Sequence, residues 1–273
     1  VRRLAGTKKV GHAGTLDPAA SGVLVLGVGA GTRLLTFVSG ADKDYSSVFR
    51  LGQATDTEDV TGTVVATPGV EASDDEIDAA LRSLTGRISQ VPSAYSAKKI
   101  GGKKAYELAR AGETVELAAV DVTVSLLERT GTVVRSIADG AALADFPVEV
   151  SCSSGTFIRA LARQVGERLG SAGHITALRR TRVGGFSDAV TVEALAAEVA
   201  AGRPMPLLPL AEVAAGIMPT REISETEERA LRYGQFIDLD VAEFPVALVR
   251  GGRLVAIGVR RGAQVGPAVV FPA

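Results

Sequence analysis

Gly11-His12-Ala13-Gly14-Thr15-Leu16-Asp17-Pro18-Ala19-Ala20-Ser21-Gly22 is the stretch on which the reading of this sequence turns. It lies between a basic run, Arg2, Arg3, Lys8 and Lys9, and the apolar run Val23-Leu24-Val25-Leu26. Pro18 lacks an N–H and disfavours the helical region for the residue before it, so Asp17 belongs in a turn or extended backbone. Gly11, Gly14 and Gly22 permit backbone conformations and close approaches that a side chain would block. A carboxylate on such a loop, beside a strand, can face a ligand; Asp-Pro also opens turns with no further purpose.

At 273 residues the chain has room for one large domain, or for a larger domain with a small appendage. With 46% hydrophobic and 22% charged residues it has the composition of a globular protein. No apolar run is long enough to span a membrane, and no signal peptide is visible. Cys152 is the only cysteine and is expected to be a buried strand thiol. With only His12 and His174 in addition, no metal is expected in the chemistry.

A formal net charge of -1 argues weakly against a polyanionic partner, but charge is unevenly distributed. Asp56 to Asp78 carries acids and no base, while Lys98, Lys99, Lys103 and Lys104 form one basic cluster and Arg179, Arg180 and Arg182 another. With the N-terminal run these would make the electrostatic footprint of a phosphate backbone, if the fold brings them together.

Along the chain, residues 22–29 read as a short buried strand and 32–38 as a helix. Between them Gly27-Val28-Gly29-Ala30-Gly31-Thr32 fails the G-x-G-x-x-G test, because Thr32 stands at the third glycine position. Residues 42–51 alternate polar and apolar, as a half-buried strand does; 56–59 is an acidic loop and 60–66 a further strand. Ser73 and Glu76 form a capping box ahead of Ile77, Leu81 and Leu84 at helical spacing. Residues 88–106, with Pro92, Tyr95 and the four lysines, read as a surface loop feeding a helix around 106–110.

Residues 115–127 and 146–151 read as strands, with the polar, Ala-rich segment between them expected to be a mobile loop. Ser153-Ser154-Gly155-Thr156 leads into a helix with Phe157, Ile158, Leu161, Val165 and Leu169 on its apolar face. Arg159 falls in its first turn, where a cation opposes the helix dipole, so it needs an anion as partner. Residues 174–183 read as a strand and 191–200 as an amphipathic helix. Pro204, Pro206, Pro209 and Pro219 mark a boundary. Beyond it lie a second capping box, Ser224 with Glu227, a stop at Gly234, and a β-hairpin turning on Gly251-Gly252.

These pieces resemble the TruB family of tRNA pseudouridine synthases. The resemblance rests on the opening motif through Leu24, on Asp42-Lys43-Asp44-Tyr45, on Leu51-Gly52-Gln53-Ala54-Thr55-Asp56-Thr57 and on Gln90-Val91-Pro92-Ser93-Ala94-Tyr95-Ser96-Ala97. Gly155-Thr156-Phe157-Ile158-Arg159 and Leu178-Arg179-Arg180 complete the order. It implies an α+β fold, a mixed, largely antiparallel sheet flanked by helices and loops (the pseudouridine synthase fold), with a small mostly β C-terminal PUA-like domain. The division it suggests is 1–219 catalytic and 220–273 RNA-binding. It implies isomerisation of a uridine in the T arm of tRNA to pseudouridine, without cofactor or metal, by a cytoplasmic monomer with no obligate protein partner. The catalytic aspartate falls on Asp17, the stacking tyrosine on Tyr45, the partner arginine on Arg159, the motif histidine on His12 and the pocket-lining apolar residue on Leu178.

The residue types suit that chemistry. A carboxylate can attack the sugar C1′, attack the base C6, or abstract a sugar proton, and Arg159 beside it would balance its charge and fix its orientation. A uridine inside a folded T loop must be extruded at a cost of a few kcal/mol, and stacking on Tyr45 would return about 1–3 kcal/mol. Arg179, Arg180, Lys98, Lys99, Lys103 and Lys104 are expected to touch phosphates, leaving recognition to RNA shape. The family's opening strand and Lys-Pro-x-Gly-type turn are absent before Val1, so about two dozen residues are expected to be missing there. A non-catalytic RNA-binding or tRNA-folding protein is the alternative from another class.

Overall fold

The computed structural model describes residues 1–93, 95 and 117–272, and the backbone of residues 99, 100, 103 and 104. The expected helix at 106–110 and the residue Lys98 lie outside these. By compactness the chain forms two units, one of residues 16–23 and 42–182, the other of residues 1–15, 24–41 and 183–273. These units follow other bounds than the expected parts 1–219 and 220–273: residues 1–15, 24–41 and 183–219 group with the C-terminal residues. No helix among the described residues is long and apolar enough to cross a membrane.

The first unit is built on a seven-stranded sheet in the order Ser21–Gly22, Gly173–Val183, Lys43–Leu51, Ala141–Cys152, Val120–Arg129, Gly86–Gln90, with Val134–Ala138 paired to Ala141–Cys152. Lys43–Leu51 and Ala141–Cys152 run antiparallel from Lys43 opposite Cys152 to Leu51 opposite Ala144. Burial alternates along Lys43–Leu51, as its period-two pattern demands, so that Tyr45, Phe49 and Leu51 point inward. Phe49 meets Phe146 in a tilted pair with ring centroids 6.2 Å apart. The helices Asp74–Arg82 and Ile158–Arg168 cover this face with Ile77, Leu81, Leu161 and Val165. The Ser73–Glu76 capping box is present. Cys152 is buried, and desolvation pushes its thiol up to about 11, as befits an inert strand residue.

Several elements differ from the sequence reading. The apolar run after Gly22 is not one strand: Ser21–Gly22 pairs in parallel with Arg179–Arg180, while Leu26–Val28 pairs with Val10–His12 in a separate ladder. Gly22 makes the break, with φ +101 and a Cβ position blocked by the Arg180 carbonyl. The helix expected at 32–38 is a 3₁₀ turn, Gly29–Arg33, followed by the short helix Leu35–Ser39. The Ala-rich segment expected to be mobile is a hairpin, Val134–Ala138 against Ala141–Asp145, turning at Asp139 and Gly140, both with positive φ. Ala-rich strands carry little β propensity of their own, and here pairing to a buried neighbour overrides it.

The second unit holds a four-stranded sheet in the order Thr220–Glu222, Val246–Arg250, Arg253–Arg261, Gln264–Val270, the small mostly β element expected at the C-terminus. Val246–Arg250 and Arg253–Arg261 form the hairpin on Gly251-Gly252. The Ser224–Glu227 capping box starts the helix Glu225–Arg232, and Ile223, Leu231, Leu248 and Val255 share its core. A second core joins Leu34, Ala214, Ala247 and Ile257.

Candidate active site

Asp17 accepts a hydrogen bond from Ala20 N through its carbonyl at 2.9 Å, closing a turn with Pro18 in second position. The same Asp-Pro pair thus makes the turn and presents the carboxylate. Arg159 reaches that carboxylate with two nitrogens, Nε to Oδ2 at 3.0 Å and an η nitrogen to Oδ1 at 3.1 Å. This is the bidentate geometry that a guanidinium favours. The anion that the helix position of Arg159 required is Asp17.

Arg159 is only 8% exposed in its side chain, and other groups complete its surroundings. It donates to the carbonyls of Thr57 at 2.8 Å and Tyr95 at 3.3 Å, and lies 3.4 Å from Asp59 Oδ2. Asp59 is in turn held by Thr57 Oγ1 at 2.8 Å, Thr61 N at 2.9 Å and Thr61 Oγ1 at 2.5 Å, all on Oδ1. Burial works against its charge, but the hydrogen bonds from Thr61 and Thr57 and the charge of Arg159 hold its pKa below the ordinary carboxylate value. One guanidinium therefore sits between two carboxylates.

The helix that carries Arg159 enters through Phe157, whose backbone N–H donates to Gln90 Oε1 at 3.0 Å and whose carbonyl accepts from Gln90 Nε2 at 3.3 Å. A fully buried side-chain amide stands in for a strand partner there. Asp59 and Gln90 were not singled out as site residues from the sequence. The only signals were their places in the motif segments Leu51–Thr57 and Gln90–Ala97, or just beyond the first of these.

Leu178 joins Asp17, Asp59, Val60 and Ile175 in lining one small cleft. Tyr45 is buried on the adjoining strand; burial raises the pKa of its hydroxyl, the hydrogen bond from Arg180 lowers it, and the Asp17 charge raises it further. Arg180 is a correction to the sequence reading. It is 2% exposed and donates from Nε to the Val23 carbonyl at 2.8 Å, so it is no surface phosphate contact. The reason is the strand's period of two, which puts Arg180 on the inward face with Leu178 and sends Arg179 out to solvent. His12 is exposed and belongs to the other unit. Of the lysines, only the backbone ladder pairing Lys99 with Lys104 and the residue Lys103 with Ile100 is described.

A model of the TruB family pseudouridylate synthase N-terminal domain matches residues 2–158, and one of the tRNA pseudouridylate synthase B C-terminal domain matches residues 159–210. The chain belongs to the TruB family of pseudouridine synthases. Among similar TruB proteins, the tRNA pseudouridine synthase B of Thermobifida fusca (strain YX) is 46% identical, with 99% of this chain and 92% of that protein covered. That of Arthrobacter sp. (strain FB24) is 45% identical, covering 99% and 90%. Two solved structures share the fold at low identity. One is a Cbf5-Nop10-Gar1 complex (TM-score 0.69, 21% identity, 99% of this chain and 79% of that one). The other is an H/ACA RNP bound to a substrate RNA containing 2'-deoxyuridine (TM-score 0.67, 21% identity, 100% and 79%). Family membership makes the chain an enzyme, and the mixed α+β architecture agrees with both structures.

Proposed function

We propose that this chain converts a uridine in the T arm of tRNA to pseudouridine, with Asp17 as the catalytic carboxylate. The observation that carries the reading is the bidentate Asp17–Arg159 pair, with Asp17 and Leu178 lining the same cleft. In the reaction the N1–C1′ bond breaks, the base turns, a C5–C1′ bond forms, and the C5 proton leaves to solvent while N1 gains one. Asp17 serves as nucleophile at C1′ or C6, or as the base that opens an elimination route; Arg159 orients it, and Tyr45 stacks on the extruded base. His12, Leu178, the outward Arg179 and Lys98, Lys99, Lys103 and Lys104 contact the RNA.

The working division is a catalytic part, 1–219, and an RNA-binding part, 220–273, acting as a cytoplasmic monomer without cofactor, metal or obligate protein partner. The test is tritium release from T-arm RNA labelled at uracil C5. The wild type releases tritium. Asp17→Asn, which keeps the shape of the side chain, abolishes release while tRNA binding persists, and turnover by D17N would refute the assignment.

A further inference from the structure

The loop that supplies Thr57 and Asp59 contains a residue the proposed chemistry leaves unused. Glu58 has φ 60, a left-handed conformation shared among non-glycine residues only with Asp139 in the described chain. Its side chain is 14% exposed, and Oε1 lies 3.1 Å from Arg163 Nε. The approach is off-axis: neither that Nε nor Glu58 Oε2 makes a hydrogen bond, although both atoms are buried. Backbone strain at one residue is sustained only where the surroundings impose it.

Arg163 stands one helical turn after Arg159. Arg159 joins the segment 57–59, through Thr57 and Asp59, to the carbonyl of Tyr95. Arg163 joins the segment 57–59, through Glu58, to the carbonyl of Val91, four residues before Tyr95, at 2.6 Å. The two arginines are successive rungs between the same pair of loops, and only the first touches Asp17.

We infer that Glu58 and Arg163 are a positioning pair, whose rung sets the spacing of the loops that aim Arg159 at Asp17. The inference rests on the function proposed above. Burial, the largest influence, raises the Glu58 pKa, against the charges of Arg163 and Arg159 and with those of Glu167 and Asp59. The cost to the carboxylate is desolvation, which the charges of Arg163 and Arg159 offset in part.

The test uses the full chain with Glu58→Gly and Arg163→Met, reading single-turnover tritium release, tRNA affinity and melting temperature. Glycine suits a positive φ, so E58G removes the rung without straining the backbone. Expected in both variants is a fall of about ten- to a hundred-fold in the rate constant at saturating enzyme, the scale of a small misplacement of catalytic groups, with Kd for tRNA unchanged. Restoration of part of that rate in R163K supports the role as well. A wild-type rate constant in either variant overturns it, as does a loss explained wholly by weaker binding. Should either variant fail to fold, E58Q decides by the same two readouts. A wild type that releases no tritium refutes the proposed function itself, whereas an active wild type beside a fully active E58G overturns only the positioning role.

Discussion

Arg159→Lys is the sharpest test of how the site works, since it keeps the charge and removes the fork. Lysine carries three donors on one atom, whereas the guanidinium spreads its donors over a plane that meets both oxygens of Asp17 and the carbonyls of Thr57 and Tyr95. An ammonium at that place holds at most one Asp17 oxygen while serving the carbonyls. A charge-assisted hydrogen bond contributes about 1.5–3 kcal/mol. Asp17 has a side chain 36% exposed, so solvent screens part of this, leaving a loss of about 1–2 kcal/mol. At 1.36 kcal/mol per tenfold, turnover slows by about 5- to 30-fold. The measurement is single-turnover tritium release at saturating R159K, with tRNA affinity determined in parallel. A rate equal to wild type would show that aiming Asp17 does not need the bidentate contact, and the reasoning would fail.

Two further outcomes follow from the fold. Gly22→Ala places a Cβ against the Arg180 carbonyl at φ +101, so the variant loses about 3 kcal/mol or more by urea denaturation, and wild-type stability would contradict the geometry. Glu228, held by Arg250 and Arg232 with Arg253 nearby, has its pKa lowered from 4.5 to about 2. A depressed acid contributes stability above its unfolded pKa and loses it as pH falls through the folded one. The stability gap between wild type and Glu228→Gln is therefore constant near neutrality and closes between about pH 4.5 and 2; a pH-independent gap would remove the carboxylate as its cause.

Much of the local structure was legible. Both capping boxes, the alternating strand Lys43–Leu51 and the hairpin on Gly251-Gly252 depend on neighbours a few residues away, and there sequence and structure coincide. The requirement of Arg159 for an anion was also readable, because its place in the first helical turn is a local fact. Where the reading failed, a distant partner decided. Residues 134–138 and 141–145 form strands because the sheet supplies an edge to pair with. Arg180 looked like one member of a basic cluster, and its inward direction emerges only once the strand's face is set by Leu178.

The sequence by itself determined the capped helices, the alternating strand Lys43–Leu51, the turn at Asp17-Pro18 and the family, since each is written in residue order over short spans. Only the tertiary structure decided which anions surround Arg159. Asp17 and Asp59 stand 142 and 100 residues from it, on loops with no periodicity to announce a meeting. A charge pair between distant loops leaves no mark on local sequence, because its energy arises only when the sheet has closed and water has been excluded from between the partners.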